Sequence, residues 1–195
     1  MAQALNPLSP VAADRSCDHE FVERLRAGDA AGLGDALQRY WSGISAYARR
    51  MLNDPDLGND VAQETFVRVW DNRDQLKSET FRTYLYRIAH NLAVDELRKS
   101  QTRSCWKVRH AHRVASVPAT PLDLLEQDDL ARAVNRAIEA LPTRRREVFT
   151  LAYVHRMSYG QIAEVLRLSP ATVKNQMTAA LAHLRDRLQS LVSDR

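Results

Sequence analysis

Between Ser158 and Leu188 the chain carries two short apolar stripes separated by the turn Arg167-Leu168-Ser169. Ser158 with Gln161 suits a capping box, in which each side chain satisfies an amide left orphaned at a helix start. Ile162, Ala163 and Leu166 then form the inward stripe of a short helix. After the turn, Ser169 suits an N-cap and Pro170 the first helical position, where a missing N–H costs nothing. Val173, Met177, Leu181, Leu184 and Leu188 recur at helical spacing and are all expected to face inward. Lys174, Asn175 and Thr178 fall off that stripe, near the helix start. Few folds accept this pattern; it is the grammar of a helix-turn-helix, whose second helix presents its N-terminal residues to the major groove. Two packed helices with no nucleic-acid role show the same stripe. The tight turn and the residue types at the reading positions favour DNA, because lysine suits guanine or phosphate and asparagine or glutamine suits adenine.

The rest of the chain also has helical periodicity and no convincing strand. Residues 1–18 read as a loose tail. From His19 to Tyr47, Phe21, Val22, Leu25, Leu33, Leu37, Tyr40, Ile44 and Tyr47 recur at spacings suited to helices, with breaks near Gly28, Gly32 and Gly34. Asp54-Pro55-Asp56 marks a turn. A helix is expected from about Asn59 to Asn72, followed by an irregular polar loop over Asp71 to Thr80. Phe81 to Lys99 is the clearest helix of the first half, with Phe81, Leu85, Ile88 and Leu92 as its core face. Tyr86, Arg87, His90 and Arg98 lie mostly round the other side. Residues 101–127, with Pro118 and Pro121, read as a linker, and helical pattern resumes from Asp128 to Leu141-Pro142. The expectation is an all-α chain of two small helical domains, 19–100 and 128–195, joined by a flexible linker.

Charge divides along the same line. Residues 1–100 carry 13 basic and 15 acidic side chains, whereas residues 130–195 carry 11 and 5, within a chain of net charge +4. An acidic first half and a basic last third suggest modules with different partners, the basic one a candidate for nucleic acid. No run approaches the roughly 18 apolar residues of a membrane span, so no membrane insertion is expected. The first residues lack the basic start and apolar core of a secretory signal. With only Cys17 and Cys105, no disulfide framework exists, and a cytoplasmic location is expected.

Several blocks resemble one known family. Leu141-Pro142, Arg146, Val148, Phe149 and Leu151, then Ser158 to Ala163 and Thr172-Val173-Lys174, resemble the promoter −35 reading domain of bacterial sigma factors. Asp60 to Trp70 (DVAQETFVRVW) is similar to the family helix that grips the polymerase clamp, and Phe81 to Arg98 to its −10 reading and melting helix. Two blocks in the right order and no further sigma domain point to the extracytoplasmic-function (ECF) group of the sigma-70 family.

The resemblance implies partners and site residues. Asp60, Gln63, Glu64 and Val67 would meet core RNA polymerase at its clamp helices, with the flap as a second contact. Tyr86, Arg87, His90, Asn91 and Arg98 would take the −10 element, and Tyr86 and Asn91 would line a pocket for a flipped base against the loop from Asp71 to Lys77. Thr172, Lys174, Asn175, Gln176 and Thr178 would read the −35 duplex. An anti-sigma factor is implied by the family alone. Physical chemistry agrees with these roles, since strand capture needs aromatic stacking and cations on phosphates. An acidic, partly apolar face suits docking steered by charge and held by burial. The chain departs from the family where Tyr84 replaces a usual tryptophan, where Arg167 stands at a common glycine, and where Ala179 replaces a basic residue.

These features exclude an enzyme. No catalytic constellation, cofactor or metal site is assembled, and Cys105, His110 and His112 lack a fourth ligand for a closed zinc site. An ordinary helix-turn-helix repressor would leave the first hundred residues without a use. The alternative to an initiation factor is a sigma-like decoy that binds an anti-sigma factor without starting transcription.

Overall fold

The computed structural model describes residues 13–106 and 134–193, with side chains placed for 18–100 and 134–189. The described residues are helical throughout. The N-terminal lobe holds α1 (Ala13–Arg26), α2 (Ala30–Leu52), α3 (Pro55–Asp71), short 3₁₀ turns at Arg73–Gln75 and Ser78–Thr80, and α4 (Phe81–Trp106). The C-terminal lobe holds α5 (residues 134–139), α6 (Thr143–Phe149) with a π-turn at Thr150–Val154, α7 (Tyr159–Leu166) and α8 (Pro170–Ser193).

Local chemistry sets the element ends. Asp29 caps α2 by accepting from the Ala31 amide at 2.9 Å, and α2 ends at Asn53 in the left-handed region. One residue on, the Asp54 carboxylate accepts from the amides of Asp56 (2.9 Å) and Leu57 (3.1 Å), with Pro55 at the first helical position. The chain therefore turns a corner over Asn53-Asp54, and α3 starts four residues before the expected Asn59. Only Gly28, at φ +77°, breaks the first helical pattern, because Gly32 and Gly34 lie inside α2. Gly32 is needed for proximity. A Cβ there would stand 2.9 Å from the backbone nitrogen of Leu25 and the carbonyl oxygen of Phe21, so its absence lets α2 lie directly on α1.

Residues 13–18 of the expected tail are helical, and residues 1–12 lie outside the described residues. Helix α1 begins at Ala13, and Asp18 is buried, accepting from the Tyr40 hydroxyl at 2.7 and 2.8 Å and paired with Arg39 at 3.3 Å. Beside it Phe21, Tyr40 and Phe81 form an aromatic knot, with ring centroids 5.1 to 6.3 Å apart. Edge-on and tilted rings of this kind add to the burial of their area. Leu85, Ile44 and Val69 complete a fully enclosed centre.

The two lobes are in contact. Val148, Leu151, Met157, Ile162 and Val173 of the second lobe pack into one continuous core with Tyr47, Leu85 and Tyr86 of the first, and α4 lies against α7. A smaller cluster of Ala137, Ile138, Leu141, Ala180 and Leu184 ties α5 to α8. The start of the expected linker is helical, since α4 runs on to Trp106. Its remainder, with His110, His112, Pro118 and Pro121, lies outside the described residues, as do the side chains of Cys17 and Cys105.

Candidate nucleic-acid interface

The helix-turn-helix forms as its caps require. Ser158 accepts from the Gln161 amide at 3.3 Å while the Gln161 side chain accepts from the Ser158 amide at 2.9 Å, completing the capping box. Helix α7 closes at Arg167, which takes the left-handed conformation (φ +53°, ψ +49°) without a glycine. Ser169 accepts from the Thr172 amide at 3.0 Å and shares a 2.8 Å hydrogen bond with the Thr172 hydroxyl, so Thr172 helps fix the head of α8. Lys174, Asn175 and Thr178 are exposed, and Thr172 and Gln176 are half-buried. The Thr178 hydroxyl donates to the Lys174 carbonyl at 3.1 Å. The apolar stripe needs one correction. Val173, Met177 and Leu184 are buried, but Leu181 is 38% exposed and Ala180 takes the inward place. A 3.6-residue period rotates slowly against a 4-4-3-4 spacing, and α8 turns Leu181 out.

On α3 the four residues proposed to meet polymerase share one solvent-facing side. Asp60, Gln63, Glu64 and Val67 are all exposed, Val67 by 47%, while Val61, Ala62, Thr65, Phe66 and Val69 face the core. Glu64 accepts from the Arg68 guanidinium at 2.9 Å. Sequence reasoning missed Trp41 of α2, which is 37% exposed and stacked on Phe66 with centroids 6.0 Å apart. It also missed the exposed pair Tyr153 and Val154 on the second lobe, Tyr153 stacking on Phe149 at 4.6 Å. A large apolar residue next to exposed polar ones on a helical pattern was the available signal.

The α4 residues divide. Arg87 and Arg98 are exposed, Arg87 over the Tyr84 ring at 5.4 Å and Arg98 in a 3.5 Å pair with Asp95, and Asn91 is half-buried. Tyr86 and His90 do not lie on a free face, being only 3% and 5% exposed. The C-terminal lobe covers them. The Tyr86 hydroxyl is 2.8 Å from Nδ1 of His155, and Arg82 donates to the His155 carbonyl oxygen. His90 bonds through Nδ1 to the Tyr47 hydroxyl at 3.0 Å. Burial pushes Tyr86 up to about 12 and lowers both His90 and His155 to about 4, with Arg144 and Arg167 facing His90, and Arg82 and Arg50 facing His155. The loop from Asp71 to Lys77 is ordered by a 3₁₀ turn and by buried Leu76, and Arg73 lies over the Trp70 ring at 4.9 Å.

A helix-turn-helix with an exposed polar head, joined to a helical lobe with an exposed acidic and apolar face on α3, fits a DNA-binding specificity subunit. Residues 37–103 match the family model described as sigma-70 region 2, and residues 131–184 match that for sigma-70, region 4. The chain belongs to the sigma-70 family, in its ECF group; it is a non-catalytic RNA polymerase sigma factor that directs transcription initiation. It is 28% identical over 179 residues to the ECF RNA polymerase sigma factor SigW of Bacillus subtilis, covering 87% of this chain and 96% of that one. The ECF RNA polymerase sigma-E factor of Salmonella typhimurium is 28% identical over 184 residues, 90% of this chain and 96% of the relative. Among solved structures, CnrH in complex with the cytosolic domain of CnrY superposes with a TM-score of 0.63 at 26% identity, over 91% of this chain and 98% of that chain.

Proposed function

We propose that residues 19–100 dock on core polymerase and open the −10 element, and that residues 128–195 read the −35 duplex, as one initiation factor working in the cytoplasm. The observation that carries this division of labour is the pair of exposed faces on separate lobes. One is Asp60, Gln63, Glu64 and Val67 on α3; the other is Lys174, Asn175 and Thr178 at the head of α8. Asp60 and Glu64 bring negative charge to the clamp and Val67 supplies apolar area for burial. Among the described side chains of the first lobe, Trp41 and Val67 are the exposed large apolar ones and widen that face. On α4, Arg87 and Arg98 meet strand phosphates while Tyr86 and Asn91 receive the flipped base against the loop from Asp71 to Lys77. Lys174, Asn175 and Gln176 read base edges and Thr172 and Thr178 contact the backbone or a thymine methyl.

An anti-sigma factor is part of the proposal. The family resemblance supports it, as does the capture of the relative CnrH with the cytosolic domain of a second protein. In the described residues no helix is long and apolar enough to cross a membrane. The test is run-off transcription with purified core polymerase on a promoter library. Start sites that depend on this chain establish the role, whereas core binding with no dependent start establishes the decoy.

A further inference from the structure

The DNA-binding face of α4 and the C-terminal lobe compete for the same two side chains. The Tyr86 ring lies tilted against the His155 ring at 4.9 Å and edge-on to Tyr47 at 5.6 Å, and with only 3% of the side chain exposed it offers little surface to a base. Tyr47 also meets His155 edge-on at 5.8 Å, and α4 and α7 are packed together behind this group. The backbone presenting His155 is unusual. It follows the π-turn Thr150–Val154 and precedes Arg156, which sits at φ +48°. A π-turn is rare in helices, and here it and the left-handed Arg156 set the direction in which His155 leaves the turn. On the other lobe Gly43 makes room, because a Cβ there would come 2.7 Å from the Tyr86 hydroxyl.

We propose that the free chain inhibits itself: the C-terminal lobe closes over α4, with His155 latching Tyr86 and the Tyr47–His90 pair sealed beneath, so that the −10 strand and the closed lobe exclude each other. This rests on the assignment of Tyr86 and His90 to the −10 element. Apparent affinity for a −10 strand then falls by the fraction of chain that is open.

Proton linkage supports the same contact. His90 is faced by Tyr47 from α2, by Arg144 from α6 and by Arg167 at the end of α7, with Glu147 beside Tyr47; His155 is faced by Arg82 and Tyr86 from α4 and by Arg50 and Tyr47 from α2. Both imidazoles are held at about 4 when closed against an ordinary 6.5, so the closed form binds fewer protons. Closure therefore keeps its full strength above about pH 6.5 and weakens as pH falls from 6.5 towards 4. Glu147, raised by burial, acts in the opposite sense.

The experiment uses the full chain without polymerase, in constant salt. Solution scattering reads the separation of the lobes. Fluorescence anisotropy reads binding of a labelled single strand, the non-template −10 segment of a promoter recovered by run-off screening. His155→Ala and Gly43→Ala attack the contact from opposite lobes, and circular dichroism shows that each remains helical. Either variant should enlarge the particle at pH 7.5, and His155→Ala, which leaves Tyr86 in place, should also tighten strand binding about tenfold with run-off at saturating core polymerase unchanged. His155→Asn keeps a hydrogen-bonding partner for Tyr86, so it should stay compact at pH 7.5 and expand less at pH 5.5 than the parent chain. Unchanged dimensions in both disrupting variants overturn the latch, and expansion of His155→Ala without tighter strand binding overturns self-inhibition. The −10 assignment is judged separately: if Tyr86→Ala leaves promoter opening by the holoenzyme intact, that assignment fails, whatever the scattering shows.

Discussion

The Tyr86 hydroxyl lies 2.8 Å from Nδ1 of His155, a contact between residues 69 positions apart that joins the helix assigned to promoter opening to the turn before the helix-turn-helix. In the proposed self-inhibited chain, docking on polymerase separates these two side chains before α4 holds a strand. The docking face proposed on α3 remains exposed in the same arrangement.

That docking face should be separable from stability. Val67→Asp places a charge on a side chain that is 47% exposed and has no core role. Its melting temperature should match the parent, since exposed substitutions usually change stability by less than about 0.5 kcal/mol. Core polymerase binding, measured by competition, should weaken at least tenfold (about 1.4 kcal/mol) if Val67 sits centrally in the contact.

Asn91→Ala should slow promoter opening and reduce discrimination at the −10 element, followed by permanganate footprinting of the melted region. Binding to core polymerase should be nearly unchanged, because Asn91 lies on α4 and the proposed docking residues on α3. An equal loss of core binding would contradict the assignment.

At the −35 duplex, Asn175→Ala should relax specificity at one base pair and cost about 1–3 kcal/mol against the preferred sequence. Lys174→Ala should behave differently if its partner is phosphate. Binding would then weaken on every sequence and the salt slope would fall by about one. Titrations of duplex binding by the holoenzyme at several salt concentrations distinguish the two.

The reciprocal bonds of Ser158 and Gln161 predict a purely structural loss. Ser158→Ala removes the acceptor for the Gln161 amide and should destabilise the chain by about 1 kcal/mol in thermal or urea unfolding.

The helix-turn-helix was legible because its determinants are local: Ser158 with Gln161, Ser169 before Pro170, and an apolar stripe that spacing alone reveals. Asp60, Gln63, Glu64 and Val67 were singled out by the resemblance to the family's clamp-gripping helix, and all four are exposed. The burial of Tyr86 and His90 was not legible. It depends on His155, Arg144 and Arg167 arriving from the other lobe, and no local pattern marks that meeting. Asp18 was missed for a related reason, since a carboxylate reads as solvent-facing until its partners, Tyr40 and Arg39, are known. Leu181 was misassigned because a leucine near a stripe looks inward, while small Ala180 fits the tighter space against Leu141 and Ile138.

The continuous core shared by Tyr47, Leu85, Val148, Leu151 and Ile162 gives closure a thermal character. Parting the lobes wets hydrocarbon surface, which raises the heat capacity and makes their adhesion grow weaker in the cold. A chain assembled this way becomes easier to pry apart as a cell cools, before any regulator acts on it.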